Sequence, residues 1–176
     1  TAPEGGFGQH APSSLRFFLR GQPQLVYPLY ELLLNDVSAI AFAEGANDPS
    51  PVFLPGSALT AAGFAESEGL LPYGQNSHPA YRILTEYFAF PEKFLFVDLK
   101  LPERWQLAGK GRTLDVFLYL DRAQPGLERS LNASAFALGC TPVVNLFPQT
   151  AEPITLDQRS FDYPRHFHDT GERSDC

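Results

Sequence analysis

The sequence predicts an α+β fold: a mainly antiparallel sheet or sandwich carrying two helices and one short helical turn. Three observations lead there. Short segments of strict apolar–polar alternation recur along the chain, clearest at Phe94–Leu101 and Thr113–Asp121. Only two segments carry longer apolar spacing of helical period, around Leu25–Leu33 and Ile83–Phe90. No alternating strand–helix series and no internal repeat runs through the chain, which disfavours a parallel sheet.

Residues 1–13 hold three glycines and two prolines and read as a loose lead-in. Residues 14–160 read as a single α+β domain, and 161–176 as a polar tail. The domain opens with a half-buried strand in which Leu15, Phe17 and Leu19 alternate with Arg16, Phe18 and Arg20, and Gly21 ends it. Pro23 suits the first position of a helix, and Leu25, Leu29, Leu32 and Leu33 follow helical spacing to Asn35-Asp36. Pro28 interrupts that pattern, so either the first turn is irregular or the helix begins near Tyr27. Val37–Ala43 reads as a strand, residues 47–49 as a turn, and Val52–Leu54 and Leu59–Phe64 as short strands.

The loop 66–76 leads to a second helix over Pro79–Phe90, capped by Ser77 or His78 and stopped by Pro91. Its spacing places Ile83, Tyr87 and Phe90 on one side, with Leu84 and Phe88 close by. Phe94–Leu101 and Thr113–Asp121 follow, and the linker with Gly109 and Gly111 predicts that they pair antiparallel. Leu127–Leu131 reads as a helical turn. Phe136–Thr141 and Val143–Phe147 read as strands broken by Pro142, a residue that belongs at a sheet edge or bulge. Ile154–Asp157 reads as a last short strand.

Composition narrows function. Formal charge is −7, and the 13 basic residues are scattered, which argues against nucleic-acid binding and against an anionic membrane surface. The longest apolar runs, around Ile40–Ala43 and Phe94–Val97, are strand-sized, and no basic-then-apolar leader opens the chain. Cys140 in a strand-like run and Cys176 at the end make a weak case for a disulfide, so a reduced cytoplasmic compartment is the simpler expectation. Methionine is absent, as in a piece of a longer protein.

Candidate chemistry is sparse. His166 and His168, two apart beside Asp169, could face one metal ion if they lie on a strand, but a third ligand at a known spacing is missing and a solvated tail is the plainer reading. Asp98 and Asp115 would approach across the expected strand pair and could divide acid and base roles. The plainer reading is two charges on a wet sheet face beside Lys100 and Arg112, and the same applies to Glu86 and Asp121. Gly56-Ser57 lacks a nucleophile elbow, and Gly5–Gly8 follows no strand and opens no helix. Trp105 with Tyr73 and Tyr81 could stack on a sugar, although a local packing plug is the commoner use of such a tryptophan. Asn132-Ala133-Ser134 matches a glycosylation acceptor. These leave a metal-dependent hydrolase and a sugar-binding sandwich as alternatives to a protein without catalysis. The 15 Phe and 7 Tyr say more: a fold this rich in large rings is expected to present some of them to a partner.

Three segments read together carry a resemblance: Tyr27–Asn35 (YPLYELLLN), Tyr81–Phe96 (YRILTEYFAFPEKFLF) and Phe136–Pro148 (FALGCTPVVNLFP), followed by Ala151–Asp157. In order from about Leu15 to Asp157, the chain resembles the TssF (VasA/ImpG) family, the baseplate subunit of the type VI secretion system. The family's proteins are several times longer. The resemblance implies a cytoplasmic structural role, with neither catalysis nor a cofactor. Its implied partners are TssG, TssE and TssK, together with a second TssF copy, in wedges around the spike hub like those of contractile phage tails. Residues 1–13 and 161–176 lie outside the resemblance. Because Pro142 marks an edge or bulge, Val144, Leu146 and Phe147 are the expected interface residues; the competing reading places all three in the core.

Overall fold

A computed structural model describes residues 12–72, 78–103, 106–107, 110–111 and 113–147. It confirms an α+β fold with two antiparallel sheets. In chain order the elements are β1 (Ser14–Leu19), α1 (Pro23–Asn35), β2 (Val37–Ala43), β3 (Val52–Pro55), β4 (Leu59–Ala61), α2 (Pro79–Ala89), β5 (Phe96–Lys100), β6 (Asp115–Leu120), α3 (Pro125–Glu128) and β7 (Phe136–Leu138). One sheet has the order β4-β5-β1-β7 and the other β3-β2-β6. The chain divides into two units, Thr1–Pro142 and Val143–Cys176, and every element named here belongs to the first.

α1 forms because its apolar residues share one face. Val26, Leu29, Leu32 and Leu33 are buried, each worth about 1.5–3 kcal/mol of transfer free energy. The helix starts at Pro23 and runs on through Pro28, so a start at Tyr27 does not hold. Gln24 and Pro28 are both exposed, so the Gln24 carbonyl that loses its intrahelical donor is open to water. α1 lies against β2, β4 and α3. One continuous core joins its leucines to Ile40 and Phe42 of β2 and to Val97 and Leu99 of β5.

The expected hairpin between Phe94–Leu101 and Thr113–Asp121 is not formed. β5 pairs antiparallel with β1, Phe17 opposite Val97, and with β4, Leu59 opposite Leu99. β6 pairs with β2, Ile40 opposite Leu118. The linker, residues 102–112, is eleven residues long and offers no two-residue turn signal, so nothing local holds the two strands together. β5 is buried along most of its length and takes the centre of its sheet, whereas β6 is mostly exposed and pairs elsewhere.

Other boundaries shift modestly. Residues 91–94 form a 3₁₀ turn before β5. The helical turn expected at Leu127 begins earlier, at Pro125. β7 stops at Leu138 because Gly139 adopts φ +71°, a left-handed backbone that breaks the ladder. The strand expected over Val143–Phe147 is absent, since Pro142 offers no ladder donor and no pairing follows it. Ile154–Asp157 lies outside the described residues.

Candidate assembly surface

The surface is built on α2, and its chemistry is inverted. Its N-terminus is set by His78, whose Nδ1 accepts from the Ala80 amide at 3.2 Å, with Pro79 at the first position. The side chains that α2 buries are charged, Arg82 and Glu86. The apolar stripe faces out: Tyr81, Leu84, Tyr87 and Phe88 are all exposed, Phe88 at 81% and Tyr81 at 63%. Of the three residues that spacing places on one side, Ile83 and Phe90 are half-buried and Tyr87 is exposed. Helical spacing fixes which residues share a face, but not which face meets the core.

The inversion has a physical cause. Residues 65–71 run beside the helix and present backbone groups that need partners. Arg82 donates through Nη1 to the Glu66 carbonyl at 2.8 Å and through Nη2 to the Ala65 carbonyl at 3.1 Å. Glu86 accepts through Oε1 from the amides of Leu70 and Leu71 at 2.8 and 3.0 Å, and through Oε2 from the ammonium of Lys93. Lys93 is 1% exposed and Glu86 2% exposed. Burial pushes the Glu86 carboxyl up, yet Lys93 and the two amides outweigh it and hold the group below its ordinary value. Lys93 also sits 4.9 Å from the Phe94 ring centroid.

Two glycines make this packing possible. A β-carbon on Gly69 would lie 2.4 Å from Nη1 of Arg82. Gly63 adopts φ +97°, and a β-carbon there would lie 2.8 Å from the Lys93 carbonyl. The same loop is tied to the larger sheet. Glu68 accepts from the Gly63 and Ala65 amides and pairs with Arg16 at 2.7 Å. Arg16 in turn grips Asp98 with two bonds of 2.7 Å. α2 is thus held on a hydrogen-bonded mount that leaves its rings outward. Phe64 packs tilted against Phe94 at 4.9 Å, Phe94 meets Tyr87 at 5.8 Å, and Tyr87 meets Phe88 at 5.7 Å, so the stripe widens into a patch. At 150–250 Å² per ring, its exposed part amounts to on the order of 500 Å², at the upper end of what monomers display.

The other candidate residues fall out as follows. Asp98 and Asp115 are not brought together: Asp98 lies in the β5 sheet gripped by Arg16, and Asp115 lies opposite Ala43 in the other sheet. Asn132 caps a 3₁₀ turn, its Oδ1 accepting from the Ser134 amide at 2.9 Å, which gives the acceptor-like triplet a structural use. Tyr81 belongs to the α2 patch, while Tyr73, Trp105, Arg112, His166, His168 and Cys176 lie outside the described residues. Among the described residues no His, Cys, Asp and Glu group could hold a metal ion, and no helix is long and apolar enough to cross a membrane. Val144, Leu146 and Phe147, in the second unit, are exposed, Phe147 at 69%. The residues that sequence reasoning missed are Arg82 and Lys93. Their only signal was a helix with as many large apolar residues as it could bury, followed within one turn by a lysine.

Fold and surface together define an α+β module whose main exposed feature is an apolar helix face on a rigid polar mount. Comparison with known proteins gives that class a family. The model of the family described as "Type VI secretion system, TssF" matches residues 1–172. The type VI secretion system component TssF1 of Pseudomonas aeruginosa PAO1 is 34% identical over 146 residues, covering 83% of this chain and 23% of that protein. A chain in the cryo-electron microscopy structure of the type VI secretion TssK-TssF-TssG baseplate subcomplex superposes with a TM-score of 0.60 at 26% identity, over 85% of this chain and 28% of that one. The chain belongs to the TssF family of the type VI secretion system.

Proposed function

We propose that this chain is a structural module of a type VI secretion baseplate subunit, acting by holding neighbouring subunits and not by turning over a substrate. The observation that carries the reading is the α2 patch: large rings face outward while the charges that would suit water are buried beneath them. A monomer gains nothing from that arrangement, whereas a packed neighbour would cover the rings. The patch supplies over half of the roughly 800 Å² per partner of a standard interface.

The solved relative is a complex with TssG and TssK, and TssG is the partner we assign to the patch. TssK, TssE and a second TssF copy are the further neighbours in the wedge, and the location is cytoplasmic. Val144, Leu146 and Phe147 form a second contact point, supported by their exposure. The chain spans about a quarter of the curated relative's length, so these assignments concern the module's share of a larger subunit.

The test is co-purification of TssG with the full-length subunit carrying Tyr81→Asp and Phe88→Asp together, and separately Val144→Asp with Leu146→Lys. Loss of TssG at unchanged thermal stability supports the corresponding contact. Full retention by the α2 variant removes the patch from the interface.

A further inference from the structure

Among the described residues β6 has an open edge as well as an open face. Among the described residues it pairs only with β2. Its Asp121 neighbour donates its amide to the Asp36 carbonyl at 2.8 Å, and the Tyr119 carbonyl accepts from Ser38 Oγ at 3.1 Å, so odd-numbered backbone groups turn toward β2. The irregularity in this ladder inserts its extra residue in β2, between Val37 and Ala39, leaving the alternation along β6 intact. The amides and carbonyls of Val116, Leu118 and Leu120 therefore point to the free edge.

The side chains of the same even-numbered residues border a second feature. Val116 and Leu118, with Leu33, Leu59, Val97 and Phe136, line an apolar cavity of about 270 Å³, the space of roughly nine waters at about 30 Å³ each. Nine apolar residues and no polar side chain line it, so water filling it would find few partners. Each end of the strand is acidic. At one end Asp115 lies opposite Ala43, Glu44 accepts from the Gly111 amide, and Asp48 pairs with Lys110. Asp121, Asp36 and Glu31 stand against Arg122 at the other.

We propose that the free edge of β6 is a strand-docking site for an extended segment of another protein, apolar at alternate positions and basic at both ends, which seats one large apolar side chain in the cavity beside Val116 and Leu118. A free ladder edge selects an extended backbone. The two-residue period of a strand aligned with β6 brings its inward side chains to the cavity. The acidic ends select lysine or arginine flanks and make binding weaken as salt rises. This site lies apart from α2 and stands whether or not the baseplate reading does.

The experiment is residue-resolved amide exchange on the protein, alone and with a synthetic peptide of alternating threonine and leucine between paired lysines. In the free protein the amides of Val116, Leu118 and Leu120 exchange quickly while those of Phe117 and Tyr119 are protected. The peptide slows the first set at least tenfold and leaves the second unchanged. Val116→Pro deletes an edge-facing donor without removing a β2–β6 bond, and weakens peptide affinity at least tenfold, whereas Val116→Thr binds nearly as the parent does. The exchange measurement needs no variant, so misfolding of Val116→Pro leaves the test standing. Three results overturn the proposal: protection of all five amides in the free protein, which means the same polypeptide already covers the edge; a dimer abolished by Val116→Pro, which assigns the edge to a second copy; and no peptide-induced protection.

Discussion

Glu86 and Lys93 form an ion pair with almost no solvent contact, joining the last turn of α2 to the 3₁₀ turn that leads into β5. Removing one partner strands the other charge in a dry site. Lys93→Met is expected to destabilise the protein by about 3–5 kcal/mol, read from urea denaturation. Glu86→Leu combined with Lys93→Met should be clearly less damaging than the single change, because no lone charge remains. Equal losses for single and double variants would mean that the pair contributes little beyond packing.

The same pair sets an acid limit. Glu86 is held below its ordinary value of 4.5 in the folded protein, so the unfolded chain takes up the proton first as pH falls. Its stabilisation is complete above that ordinary value and is lost as pH drops below it toward the folded value. Glu68, also lowered, acts in the same direction. Thermal midpoints of the parent should fall as the pH drops below the ordinary carboxylate value of 4.5. They should fall less steeply in Glu86→Gln, whose stability is lower at neutral pH.

Gly69 is expected to be intolerant of a side chain although no special backbone angle requires glycine there. Gly69→Ala would press on the Arg82 guanidinium and loosen its two bonds to the loop carbonyls. The expected loss is about 1–3 kcal/mol. In an Arg82→Leu background, where the obstructing group is gone, the added cost of Gly69→Ala should shrink. A cycle of four proteins measured by thermal unfolding decides whether the two positions are coupled.

Leucine and phenylalanine should behave in opposite ways here. Leu29, on the buried face of α1, is 1% exposed, and Leu29→Ala is expected to remove about 2–5 kcal/mol. Phe88→Ala should change stability by no more than about 0.5 kcal/mol. A large loss at Phe88 in denaturant titration would show that its ring serves the fold.

The fold class and the positions of most elements were legible because they depend on local patterns. The leucines of α1, the alternation of β1 and β5, and the stop at Pro91 each carry their own signal. Pairing was not legible, because β5 pairs with β1, some eighty residues upstream, and with β4, some forty upstream, and nothing in these strands excludes β6. The direction of α2 was not legible for a different reason. Arg82 and Glu86 look like a solvated face until residues 65–71 supply carbonyls for Nη1 and Nη2 of the guanidinium and amides for the carboxylate. Aromatic content pointed correctly to exposed rings but not to which ones.

α2 is secured chiefly through its buried charges, Arg82 and Glu86, while most of its outward rings stand clear of the core. In the proposed reading, adhesion and folding rest on separate sets of residues within eleven positions. The outward set is free to drift with the shape of a neighbour, at little risk to the scaffold that carries it.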